Sequence, residues 1–214
     1  METSNDNTVI ISTHEDSQAM TISHICEKIP DIDLSVLVKP SKKNKGERGQ
    51  QIERLLGLTN NSHLTDLKDG EIKSFTIGQS IAITQLKHCL KEIILTEPLF
   101  ISSKVGIKIA NTIYFVFNKS GNLKSWKYIS SHHNLLEKIT QDYQFISNEI
   151  KQCFLSNKKL HTITGPNQIL QIRTKANKNK NGSYTPLTFD DITLNDKGMA
   201  FYFTGKFGKT ISYE

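Results

Sequence analysis

The sequence predicts an α/β fold bordering on α+β, a mixed β-sheet flanked by helices. Three observations lead there. Helix-like and strand-like patterns follow one another in the order helix, hairpin, further strands, long helix and strands, with no internal repeat. The 214 residues, 36 % of them hydrophobic, suffice for one core and require no second domain. No apolar stretch approaches the roughly 18 residues of a membrane span, so no membrane partner is expected.

Taken in order, residues 1–20 read as a flexible tail. METSNDNTVIISTHED is polar and acidic with only a three-residue apolar run, which does not suit a secretory leader. Residues 21–214 form the single predicted domain. From Ile22 to Val38 apolar and polar residues mix without a period. KPSKKNKGERG, residues 39–49, is a basic stretch that reads as a solvated loop. GQQIERLLG then sets Ile52, Leu55 and Leu56 at helical spacing and ends on Gly57, a natural C′ residue, which predicts a short helix. HLTDLKDGEIKSFTI reads as a strand, a tight turn at Lys68-Asp69-Gly70 and a second strand.

Residues 80–95 are rich in apolar side chains. IANTIYFVF, within residues 107–117, has the β-branched and aromatic character of a buried strand, and SWKYI follows the NKSGN turn as its hairpin partner. Leu135, Ile139, Tyr143, Ile146, Ile150 and Phe154 recur every three or four residues and predict a long amphipathic helix. Residues 169–172 read as a strand, KANKNKNGSYTP as a basic loop, and MAFYFTGKF as a closing strand.

Lys and Arg outnumber Asp and Glu by 27 to 21, a formal charge of +6 that suits a polyanionic partner. Charge alone also fits a merely basic protein. Cys26, Cys89 and Cys153 are odd in number and form no CxxC pair, which argues against a disulfide framework or a zinc site and for a reducing cytosol.

Metal-assisted phosphodiester hydrolysis needs carboxylates to hold Mg²⁺ and a cation to orient the attacking water. Asp66, Glu71 and Lys73 supply that set. Strand alternation puts Glu71 and Lys73 on one face, while Ile72 points the other way and offers a carbonyl oxygen. The spacing itself is common, since acidic-x-Lys also occurs at Asp66-Leu67-Lys68 and Glu149-Ile150-Lys151. In the long helix, residues two apart diverge by about 200°, so Glu149 and Lys151 cannot converge on one ion. Glu53 sits on the short helix beside its apolar stripe; it is either a further acid near the metal or a surface Glu paired with Arg54 or a lysine. The seven histidines are scattered and are read as non-catalytic.

KGERGQQIERLLG followed by DLKDGEIKSF resembles the start of the catalytic core of the MutH-like family of PD-(D/E)xK endonucleases, which joins a mismatch-repair nicking endonuclease to related type II restriction endonucleases. Gly49, Glu53, Asp66, Glu71 and Lys73 match in that order. LQIRTKA, residues 170–176, is similar to the family's LQIRPKA, FYFTGKF resembles its closing aromatic strand, and KIANTIYF resembles the segment that brings one more lysine, Lys108, to the site. The resemblance spans roughly residues 45–207. Two departures stand out. The interval between Asp66 and Glu71 is shorter than in the nicking enzyme and closer to that of monomeric restriction relatives, and Thr174 replaces a common proline. The recognition sequence therefore does not carry over.

The resemblance implies a restriction-endonuclease-like domain, with room for two lobes around a DNA-binding cleft, acting as a monomer on double-stranded DNA with Mg²⁺. Asp66, Glu71 and the Ile72 carbonyl would hold the metal, Lys73 would position water, and Lys108 and Glu53 would assist. Arg173 and Lys175 would reach bases, and Lys178, Lys180, Tyr184, Lys206 and Lys209 would approach the DNA, with structural or solvated roles open for the last-named three. A type II restriction enzyme is the first expectation. A strand-nicking repair endonuclease with a MutL-like activator, a non-catalytic DNA-binding module of the same fold, and a basic structural protein are the alternatives.

Overall fold

The computed structural model describes residues 20–37, 46–58, 64–96, 99–175, 182, 187–189, 192–194 and 198–213. Its elements are α1 (Ile22–Lys28), α2 (Glu47–Leu55), β1 (Glu71–Thr76), β2 (Ile81–Gln85), α3 (Leu90–Leu95), α4 (Lys104–Ala110), β3 (Thr112–Phe117), β4 (Leu123–Ile129), α5 (Leu135–Leu155), β5 (Ile163–Thr164), β6 (Leu170–Thr174), β7 (Leu187–Phe189), β8 (Ile192–Leu194), β9 (Met199–Phe203) and α6 (Gly205–Tyr213). They make a mixed α/β architecture in which helices flank two main sheets rather than one. A three-stranded sheet runs β1-β3-β4, a four-stranded sheet runs β2-β9-β6-β5, and β7 pairs with β8 alone. No helix among the described residues is long and apolar enough to cross a membrane.

β3 organises the molecule. All six residues of TIYFVF are buried. Because strand side chains alternate, Ile113, Phe115 and Phe117 join a cluster with Ile25, Ile52, Leu56 and Ile72, while Tyr114 and Val116 join the larger core under α5 and the second sheet. A strand apolar on both faces must be covered on both, and α1 and α2 cover one of them. β1 runs parallel to β3 in the register Glu71 to Thr112 and Lys73 to Tyr114, and β4 returns antiparallel as the hairpin partner expected from SWKYI.

α5 buries every residue of its predicted stripe. Its Asp142 is fully buried and accepts hydrogen bonds from the backbone N–H groups of Asn167 (2.6 Å), Ile169 (2.8 Å) and Leu170 (2.9 Å), pinning the turn that starts β6. Gly165 leaves room for that carboxylate, since a Cβ there would collide with it. The short helix α2 starts two residues before Gly49 and ends, as expected, just before Gly57, whose φ is +75°.

Three local expectations are corrected. Residues 64–69 are a bend and not a strand. Thr65 Oγ1 donates to Leu67 O (2.8 Å), Leu67 N–H donates to Gly70 O (3.0 Å), and Asp66 accepts from Ile72 N–H, so groups a ladder would use are spent locally. The partner of β1 is instead β3, some forty residues later. Residues 107–110 finish helix α4, whose N-cap Ser103 accepts from Gly106 N–H (2.9 Å), and the strand begins only at Thr112. MAFYFTGKF is a strand only to Phe203; Gly205 opens α6, which brings Phe207 flat against Phe203 with ring centroids 3.8 Å apart. Met20, at the edge of the predicted tail, is buried at 3 % exposure.

Candidate active site

β1 is the outer strand of its sheet, and this decides what its peptide groups can meet. Glu71 N–H donates to Asn111 O (2.8 Å) towards β3. Peptide groups alternate sides along a strand, so the N–H and C=O of Ile72 point outwards from the sheet edge. Asp66 Oδ2 accepts that Ile72 N–H at 3.0 Å. The bend at residues 64–69 thus delivers a carboxylate beside the Ile72 carbonyl, with the Ile72 side chain buried among α1 and α2.

Glu71 is buried at 3 % exposure and is the centre of an ion cluster. Lys73 Nζ lies 2.6 Å from Glu71 Oε1, and Lys108 Nζ, arriving from α4, lies 3.1 Å from Oε1 and 3.4 Å from Oε2. Burial pushes the Asp66 carboxyl above its ordinary pKa, and the charge of Glu71 adds to this, while the Ile72 N–H, Lys73 and Lys108 pull it down. Glu53 is raised as well, first by burial and then by the charges of Asp66 and Glu71, against Lys73. It therefore faces the same cluster from α2. The pairing with Arg54 does not form: Arg54 Nε turns back to Gln50 O at 3.1 Å.

Five predicted residues from α2, the 64–69 bend, β1 and α4 thus converge. Asp66 and Glu53 both feel the charge of Glu71 beside the two ammonium groups, and the upward shifts of these two acids come first from burial and then from that like charge. A divalent cation would offset the like-charge part of both shifts. Among the described residues no three of His, Cys, Asp and Glu form a cage for a metal. Asp66, Glu71 and the Ile72 carbonyl are a sparser, all-oxygen set, which suits Mg²⁺ because that ion keeps several waters and takes only one or two carboxylates from a protein.

The remaining predicted positions divide. Arg173 lies in β6 with its guanidinium 4.3 Å over the Tyr202 ring and its buried Nε without a hydrogen-bond partner among the described residues. Lys175 is exposed just past the end of β6, its N–H bonded to Gly198 O (2.9 Å). Lys206 sits by the other end of that strand, where its Nζ donates to Asn167 O at 3.1 Å and ties α6 to the turn before β6. Lys178, Lys180 and Tyr184 lie outside the described residues. Reading IANTIYFVF as strand from Ile109 also hid the helix that carries Lys104 one turn before Lys108; the i, i+4 lysine spacing was the available signal.

No family model matches the chain, and no curated protein matches it.

Proposed function

We propose that the chain is a sequence-specific, Mg²⁺-dependent endonuclease of the restriction-endonuclease-like fold that hydrolyses phosphodiester bonds in double-stranded DNA, as a type II restriction enzyme does. The observation that carries this reading is the convergence on Glu71 of Lys73 and Lys108, with Asp66 and Glu53 within electrostatic reach. Asp66, Glu71 and the Ile72 carbonyl would hold the metal, which when bound supplies charge neutralisation at the scissile phosphate and a more acidic water.

The protein groups have separable tasks. Glu71, held between two lysines, fixes both ammonium groups at the place where charge builds on the phosphate. Lys73, on the same strand face and 12 % exposed, is placed to orient the attacking water. Lys108, 18 % exposed, adds a second positive charge to the developing phosphorane oxygens. Asp66 is kept in position by the Ile72 N–H, so its carboxylate is oriented before substrate arrives. Arg173, stacked on Tyr202, and Lys175 supply DNA contacts; Lys206, bound to Asn167, serves the fold.

Incubation with supercoiled plasmid and Mg²⁺ tests the proposal. The wild-type protein should give linear DNA, and Lys73→Ala should not; persistence of cutting in Lys73→Ala and Glu71→Gln refutes the assignment. Slow nicking that needs an activator would identify the repair-type alternative.

A further inference from the structure

Beside the ion cluster lies a cleft of about 400 Å³ with Thr84, Gln85, His88, Lys104, Lys108 and Lys175 among its lining residues. These come from β2 with the single turn that follows it, from α4 and from the end of β6, so three separate chain segments build it. Lys104 and Lys108 share one face of α4 through their i, i+4 spacing. Lys104 Nζ donates to the neutral carbonyl of His88 at 2.7 Å, which orients the ammonium without cancelling its charge. Among the described residues no carboxylate lies within ion-pair distance of the Lys104 or Lys175 ammonium group, although the Glu92 carboxylate accepts from the Lys104 backbone N–H at 3.0 Å and feels the Lys104 charge; of the three cleft lysines, Lys108 reaches a carboxylate directly, Glu71. The cleft is therefore a pocket of concentrated positive charge that opens, through Lys108, onto the candidate catalytic centre.

The occupant must be an anion with several acceptor oxygens. Ammonium groups, the Thr84 hydroxyl, the Gln85 amide and the His88 imidazole all offer hydrogen-bond donors around one space. Burial first, and then the charges of Lys87, Lys104, Lys108 and Lys175, hold the His88 imidazole below the usual histidine range. A bound anion would offset those lysines. Lys175 is exposed among the described residues, which fits a group carried on a long polymer better than an enclosed metabolite.

We propose that this cleft is a second phosphate subsite, gripping through Lys104, His88 and Lys175 the backbone phosphate next to the scissile one on the cut strand. The inference rests on the nuclease reading and extends it: the two sites share Lys108, so filling the cleft fixes where the neighbouring phosphodiester lies relative to Glu71 and Lys73. Such backbone contacts set register without reading bases, and each one makes affinity depend on salt.

The test is anisotropy binding of a labelled, mixed-sequence DNA duplex in EDTA across a salt series, with wild-type protein, Lys104→Gln, Lys104→Gln/His88→Gln and, as a control, Lys119→Gln in the exposed turn between β3 and β4. Calorimetric titration with inorganic phosphate runs in parallel, and circular dichroism checks the fold of each variant. Lys104→Gln should bind more weakly and lose about one unit from the slope of log K against log salt, while Lys119→Gln keeps the wild-type slope. If wild type binds duplex and Lys104→Gln has an unchanged slope, the subsite is refuted and the nuclease reading stands. An equal loss in Lys119→Gln means a diffuse charge effect and also overturns it. Inorganic phosphate binding that Lys104→Gln abolishes, with the duplex slope untouched, makes the cleft a small-anion site and overturns the proposal. Wild-type protein that binds no duplex removes both readings.

Discussion

Glu71→Ala and Lys73→Ala should both stop cleavage, yet they should differ in what they do to the fold. Removing Glu71 leaves Lys73 and Lys108, whose side chains are only 12 % and 18 % exposed, without the carboxylate both are bonded to, with Asp66 and Glu53 acting on them only at longer range. Removing Lys73 leaves Glu71 with Lys108 still 3.1 Å away. Breaking a fully buried ion pair by deleting one partner costs about 3–5 kcal/mol. Water reaches both lysines here, which lowers the figure for Glu71→Ala to about 3 kcal/mol; Lys73→Ala keeps a compensated carboxylate and should cost about 1 kcal/mol. Urea unfolding of metal-free protein measures the difference as a shift in midpoint at constant m-value. A triple Glu71→Leu/Lys73→Met/Lys108→Met variant should regain most of the lost stability and remain inactive, because apolar groups of similar size commonly replace buried ions without penalty. Equal destabilisation by Glu71→Ala and Lys73→Ala, or a Glu71→Ala cost below about 1 kcal/mol, would refute the picture of Glu71 as the one carboxylate bonded to both lysines.

Two further outcomes follow from other observations. Asp142→Ala orphans the buried N–H groups of Ile169 and Leu170 and the partly buried one of Asn167 at the turn before β6; with about 1–3 kcal/mol for each of the two buried groups, a loss of about 2–6 kcal/mol in urea unfolding is expected, and a shift under about 1 kcal/mol would mean that the turn is held otherwise. The raised carboxyls make stability depend on pH. A carboxyl whose folded pKa exceeds its unfolded value contributes stability that is fully present below the unfolded pKa and is lost as pH rises through the folded one. For Glu53 that loss begins above the ordinary carboxylate range near about 4 and is complete once the raised group has ionised. In EDTA, Glu53→Gln should therefore lose less melting temperature than wild type between acidic and neutral pH, and parallel profiles for the two proteins would count against the charge crowding.

Some of the site was legible without coordinates. Alternation along EIKSFT places Glu71 and Lys73 on one face whatever the strand pairs with, since the period of two belongs to the backbone. Helical spacing likewise fixed the buried stripe of α5, and Gly57 the end of α2, because both are local properties. Asp66 was expected at the end of a strand and lies in a bend. Its segment looks like half of a hairpin, and only the parallel pairing of β1 with β3 leaves the outer edge of β1 free for Asp66 to meet Ile72 N–H.

Lys108 shows the same limit from the other side. IANTIYFVF reads as one strand by composition, yet the Ser103 cap makes its first residues the end of a helix, and that turn carries Lys108 to Glu71 and Lys104 into the cleft. Sequence by itself determined the chemical inventory and the facing of Glu71 and Lys73. Tertiary structure decided how many charges meet Glu71, that Glu53 joins them, and that a basic cleft adjoins them, because each depends on contacts between segments whose separation along the chain no local period encodes.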